Sequence, residues 1–101
     1  MAEVKPWYVH QSPEIGGAFA DFYKAANQEG VLDKKTKELL MLALASAFRC
    51  PHCTRDHLAG AKEAGATKQE MAEALLIAAV EGAGTQLAWA KEIFREHLSG
   101  D

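Results

Sequence analysis

The chain has 101 residues, a net charge of −3, and a composition that is 49% hydrophobic but only 8% aromatic. A single domain of this length buries roughly 60–65% of its unfolded surface. Alanine supplies much of the apolar share, so the core is expected to be thin and self-association to add burial.

The mild acidity, with Lys and Arg scattered among Asp and Glu, excludes the footprint of a nucleic-acid binder. Met1-Ala2-Glu3-Val4-Lys5-Pro6 has no basic region followed by an apolar one, so no signal peptide is expected. The uncharged run from Leu39 to Phe48 is too short to span a membrane. A cytoplasmic location is the expectation, with neither nucleic acid nor membrane as partner. In that compartment a Cys-x-x-Cys pair points to redox chemistry or metal binding rather than to a structural staple.

Taken in order, residues 1–11 are predicted to form an irregular N-terminal arm of one 1–101 domain. Trp7 and Tyr8 are apolar enough to pack, and His10 is expected to be solvated or capping. Ser12-Pro13-Glu14 starts a helix, with a capping hydroxyl, proline in the first turn and an acid after it. Ile15, Ala18, Phe19, Phe22 and Tyr23 follow at helical spacing, which makes Tyr23 a packing residue, and Gly30 is the expected stop. Asp33 can cap the next helix. Leu39, Leu40, Leu42, Ala43 and Phe48 make that helix apolar on most sides, so it should be the most buried one. Glu38 borders this block; an exposed acid complementing the helix dipole and a buried functional acid fit the pattern equally.

Pro51 fits only the first turn of a helix, which puts Cys50 near an N-cap and predicts a third helix to about Ala64, stopped by Gly65. Thr67-Lys68-Gln69-Glu70 matches a capping box for a fourth helix carrying Met71, Leu75, Leu76, Ala79 and Val80. Gly82-Ala83-Gly84 should interrupt it. A fifth helix from Thr85 carries Leu87, Trp89, Ile93, Phe94 and Leu98, with His97 as a solvated cation near its end and residues 99–101 fraying. No hairpin or alternating β-branched run occurs, so the class is all-α, with about five helices.

The chemistry concentrates in Arg49-Cys50-Pro51-His52-Cys53-Thr54-Arg55-Asp56-His57, which holds both cysteines and two of the four histidines. Cβ atoms three residues apart on a helix lie roughly 5–6 Å apart, whereas a disulfide needs nearer 4 Å. A small rotation at the N-cap would close that gap, so the pair could alternate between dithiol and disulfide. A helix N-terminus and nearby cations favour the thiolate. His57 follows Cys53 by one turn and could take its proton directly or through a water; His52 points elsewhere on the helix. A thiolate oxidised to sulfenic acid would be resolved to a disulfide by the second cysteine and reduced by an external dithiol. The helix dipole favours Cys50 as the attacking sulfur and the position of His57 favours Cys53, so the residues alone leave the order open. A Cys-x-x-Cys can also hold zinc with His57 and a fourth ligand such as His52, His10, His97 or Glu38, or be an inert buried pair.

Together these residues form Glu-x11-Cys-x-x-Cys-x3-His, running from Glu38 through Cys50-Pro51-His52-Cys53 to His57. The pattern resembles the alkylhydroperoxidase AhpD-like branch of the carboxymuconolactone decarboxylase family, over about Lys34 to Val80. The resemblance implies an all-helical fold around a central antiparallel helical pair, and assembly into homotrimers or homohexamers. It also implies a thiol-dependent peroxidase recycled by a dihydrolipoyl or thioredoxin-like dithiol donor, with no cofactor and no metal. By the same resemblance Cys53 attacks peroxide, Cys50 resolves, Glu38 and His57 relay the proton, and His52 is an accessory histidine. Twelve residues of helix from Glu38 to Cys50 rise roughly 18 Å, against roughly 10 Å from Cys50 to His57. A short turn, a crossing angle or a bridging water must absorb the offset. The rival expectations are a zinc-stabilised or thiol-inert oligomeric binding protein and a lactone- or acid-processing enzyme nearer the family's decarboxylase.

Overall fold

The computed structural model describes residues 5–98. The expectations for the first four residues and for the last three lie outside them. Five α-helices make up the described chain: α1 (Trp7–Gln11), α2 (Pro13–Asn27), α3 (Lys34–Ala47), α4 (Pro51–Glu63) and α5 (Lys68–His97). No strand occurs among the described residues, so the fold is all-α as the sequence implied.

Two compact units divide the chain, one reaching to Lys34 and one starting at Lys35. In the first unit, α1 replaces the irregular arm. It packs on α2 at Gly16, which is buried because a Cβ there would lie 2.3 Å from the Tyr8 carbonyl oxygen. Tyr8 and Phe19 add an edge-to-face ring contact at 5.4 Å. Ser12 occupies the N-cap of α2, but its hydroxyl makes no capping bond. Its backbone serves both helices instead: the Ser12 N–H donates to Tyr8 O, and the Ser12 carbonyl accepts from Gly16 N–H. Pro13 takes the expected first-turn place.

α2 stops at Asn27, ahead of Gly30, because its last carbonyls find other donors. Asn27 Nδ2 donates to Tyr23 O and Lys34 Nζ donates to Asn27 O. Tyr23 sits beside Phe19, with ring centroids 6.4 Å apart, and is half exposed.

The second unit holds the functional segment. Its core is small: Leu42, Ala61, Ala66 and Met71, with Leu39 and Leu75 packed against them. α3 contributes Glu38, Leu42 and Ala45 to the buried set. Leu40 and Leu44 are exposed, as is Phe48 just past the helix end, so α3 buries one face and not most of its surface. The start of α3 meets the middle of α4 through Glu38 and His57. The Cys50 N–H, at the start of α4, returns to Ala45 O near the end of α3. The two helices are therefore antiparallel.

Thr67 and Glu70 form the predicted capping box, each side chain accepting from the other's backbone N–H at 3.0 and 2.9 Å. α5 then runs unbroken through Gly82-Ala83-Gly84 to His97, so the predicted interruption does not occur. Two helical glycines cost about 2 kcal/mol relative to alanine, but they do not forbid the conformation, and strong helix formers flank them. Thr85 Oγ1 donates to Gly82 O inside the helix and supplies a local bond where a break was expected. Every residue from Glu81 to Leu98 is exposed, including Leu87, Trp89, Ile93 and Phe94.

Candidate active site

The site begins with how α3 ends. Arg49 adopts a left-handed conformation, φ 60°. That turns the chain so that Arg49 N–H donates to Ser46 O and Cys50 N–H donates to Ala45 O, the paired bonds that close a helix with a left-handed residue. Cys50 emerges in extended conformation as the N-cap of α4, with Pro51 in the first turn.

The Cys50 sulfur does a cap's work: Cys53 N–H donates to Cys50 Sγ at 3.2 Å. Thr54 N–H and Oγ1 both donate to the Cys50 carbonyl, at 2.9 and 2.7 Å. These bonds fix Cys50 one turn before Cys53, and the two are joined as a disulfide with Cα atoms 5.3 Å apart. The extended backbone at Cys50 is the N-cap rotation that a helical three-residue spacing requires.

One turn beyond Cys53 lies His57, whose Nδ1 is 3.0 Å from Glu38 Oε2. Their side chains are only 13% and 7% exposed, which settles the ambiguity at Glu38 in favour of a buried acid. A carboxylate offers only acceptors, so Nδ1 carries the ring proton and donates it. In the neutral ring Nε2 then keeps a lone pair, the acceptor form needed to take a proton from a thiol.

The contact is direct. α3 ends at Ala47 and a short turn precedes Pro51, so the helical path on the α3 side is shorter than the sequence count suggested. Gly60 makes the approach possible: a Cβ there would lie 2.6 Å from Glu38 Oε2. Gly60 was not singled out from the sequence. The available signal was an isolated glycine inside a helical pattern, which marks close packing.

Of the remaining candidates, His52 stays apart from this pair. Its Nε2 lies 3.2 Å from Asp56 Oδ2 on the exposed side of α4. His10 and His97 are exposed in the last turns of α1 and α5. Among the described residues no group of three His, Cys, Asp or Glu side chains is placed to hold a metal ion.

The structure also shows an open pocket of about 480 Å³ against the first turn of α4. Arg49, Cys50, Pro51, Arg55 and Leu58 are among its walls; Cys53, His57 and Glu38 are not. The two sulfurs thus have different surroundings, the buried acid–histidine pair one turn beyond Cys53 and a basic, largely apolar recess at Cys50.

Known proteins resemble this chain in sequence and in fold. The carboxymuconolactone decarboxylase family model matches residues 13–96. A protein of the cox locus of Paracoccus denitrificans, itself uncharacterised, is 38% identical over 78 residues, 77% of this chain and 70% of that one. Among solved structures, one from Methanobacterium thermoautotrophicum superposes with a TM-score of 0.80 at 40% identity, covering 87% of this chain and 99% of the other. A carboxymuconolactone decarboxylase family protein from Legionella pneumophila gives 0.68 at 39% identity, over 84% and 76% of the two chains. Another from Thermotoga maritima, for which a part in the antioxidative response is offered as a possibility, gives 0.62 at 29% identity, over 86% and 97%. With the model matched across most of its length, the chain belongs to the carboxymuconolactone decarboxylase family.

Proposed function

We propose that the protein is a thiol-dependent peroxidase of the alkylhydroperoxidase type, in the AhpD-like branch of its family. The observation that carries this reading is the buried Glu38–His57 pair, whose histidine lies on the helix that the Cys50–Cys53 disulfide opens. In the reduced protein His57 Nε2 takes the Cys53 thiol proton. The thiolate attacks the peroxide's outer oxygen, the O–O bond breaks, and the departing alkoxide takes a proton and leaves as an alcohol. Cys53 is now a sulfenic acid. Cys50 attacks its sulfur, water leaves, and the disulfide forms. An external dithiol then returns two electrons to the pair.

Glu38 fixes the His57 tautomer and balances the imidazolium that forms. His52, paired with exposed Asp56, serves at most the solvent side of this relay. The same reading includes a reducing, cytoplasmic setting and assembly as a homotrimer or homohexamer. The exposed apolar residues of α5, Leu87, Trp89, Ile93 and Phe94, support the assembly.

The test is peroxide turnover with a dithiol donor, together with intact mass after peroxide. Wild type is expected to lose two thiols and gain one intramolecular disulfide. Cys53→Ser is expected to lose turnover, and His57→Ala to lose about 10²-fold or more, the scale of general-base catalysis. Peroxide that consumes no thiol in the folded protein defeats the proposal.

A further inference from the structure

The pocket beside Cys50 has no task in the peroxide half of that cycle, since Cys53, His57 and Glu38 all lie outside its walls. We infer that it seats the reducing thiol, that it favours one carrying a carboxylate on a short apolar chain, and that Cys50 Sγ is the sulfur attacked. The inference rests on the thiol–disulfide reading above and names the substrate class for its reductive half.

Three observations converge. First, placement: the recess is lined by Cys50 and not by Cys53, so a thiolate seated in it meets Cys50 Sγ first. Second, charge: Arg49 and Arg55 both line the recess, and no acidic residue does. The nearest acid in sequence, Asp56, is engaged with His52. Among the described residues neither guanidinium has an ion-pair partner, so both are available to a ligand anion. Pro51 and Leu58 supply apolar wall between them, which suits a hydrocarbon stem.

Third, backbone: Arg49 holds a left-handed conformation that a side-chain-bearing residue disfavours and glycine adopts freely. A charged residue at such a place, on the rim of a pocket beside a disulfide sulfur, points to a use for the side chain.

The chemistry balances. A donor thiol loses its proton to solvent, and its thiolate attacks Cys50 Sγ. The Cys50–Cys53 bond breaks, a mixed disulfide forms at Cys50, and Cys53 leaves as a thiolate one turn from His57, where it can be protonated. A second donor thiolate attacks the donor sulfur of the mixed disulfide. The donor leaves as its own disulfide and Cys50 leaves as a thiolate, received by the Cys53 N–H that already points at its sulfur. Two donor thiols are oxidised and one protein disulfide is reduced.

The experiment uses the oxidised full chain, no peroxide, and three thiols differing only at the far end: 6-mercaptohexanoate, 6-mercaptohexanol and 6-aminohexanethiol. Reduction at low salt is expected to be roughly fivefold faster with the carboxylate than with the alcohol, and slowest with the amine, the scale of exposed charge pairs. High salt should compress the ranking. The Arg49→Gln/Arg55→Gln double variant should abolish it, and acid-quenched peptide mapping should place the adduct on Cys50.

Equal rates for the three thiols, a ranking that persists in the double variant, or an adduct on Cys53 would overturn the inference. If the double variant folds poorly, the salt dependence of wild type decides alone. Because peroxide is absent, failure here is separate from failure of the peroxidase reading, which is read from peroxide-dependent thiol loss.

Discussion

Helices α3 and α4 close with the same pair of backbone bonds but with different residues at the turning point. At the end of α4, Gly65 N–H donates to Lys62 O and Ala66 N–H donates to Ala61 O, with Gly65 at φ 95°. At the end of α3, Arg49 and Cys50 make the equivalent bonds, and the left-handed residue is an arginine. Glycine holds that conformation without a steric penalty; another residue meets one of roughly 1–2 kcal/mol. The Gly65 end follows local energetics, and its only evident task is to reverse the chain toward Thr67. The Arg49 end departs from them where the chain turns into Cys50. The comparison teaches that a local rule kept and the same rule broken, sixteen residues apart, separate a structural turn from a chemical one.

The comparison can be broken most forcefully at the glycine end. Gly65→Ala should cost about 1–2 kcal/mol of stability, since no rotamer relieves the strain at positive φ. Denaturant unfolding would show a lower midpoint at unchanged slope, and thiol chemistry in the folded protein should be unaltered. Gly60, in the same helix, is not a positive-φ residue, so it separates backbone freedom from space. Gly60→Ala should keep the fold, because alanine is the better helix former. Its Cβ must displace the Glu38 carboxylate, and turnover should fall roughly tenfold through a mispositioned pair. An unchanged pH–rate profile and unchanged turnover would show that Glu38 can yield without loss.

Arg49→Gly should act in the opposite sense to Gly65→Ala. Relief of strain, less the greater freedom of glycine in the unfolded chain, leaves a gain of about 0.5 kcal/mol, visible as a raised melting temperature. The smallest effect expected lies away from both turns. Lys35 Nζ donates to Glu70 Oε2 at 2.8 Å, and this bond, helped by the Thr67 N–H, holds the Glu70 carboxyl below its usual value of 4.5. A carboxyl whose folded pKa is depressed contributes stability above its unfolded value and loses it as pH falls through the lower folded one. Lys35→Met should therefore lower stability slightly at neutral pH and leave it unchanged at strongly acid pH, which flattens the acid limb of a stability–pH curve.

How much of this was legible in the sequence depends on how local each cause is. The capping box at Thr67–Glu70, the proline at the start of α4 and the glycine after it are contacts within a few residues, and each was readable. Glu38 was not: its own neighbours fit an exposed acid as well as a buried one, and only the motif resemblance tied it to His57. Gly60 and the recess at Cys50 depend on what packs across from one helix to the next, which no spacing along the chain encodes. α1 was missed because a five-residue helix has no periodicity to read and is held by the backbone approach at Gly16. The break expected at Gly82–Gly84 failed for the opposite reason, since glycine permits a turn without requiring one.

Leu42 carries a consequence of a mechanical kind. Among the described residues it is the largest fully buried side chain, and it lies one turn from Glu38 on the same face of α3. A helix whose largest buried side chain rests on a thin core of alanines and a methionine can roll about its axis if that side chain shrinks. A few degrees of roll would swing a carboxylate at the end of a three-bond arm away from an imidazole that it meets at 3.0 Å. The aim of the acid is thus set by an apolar side chain that never touches a proton.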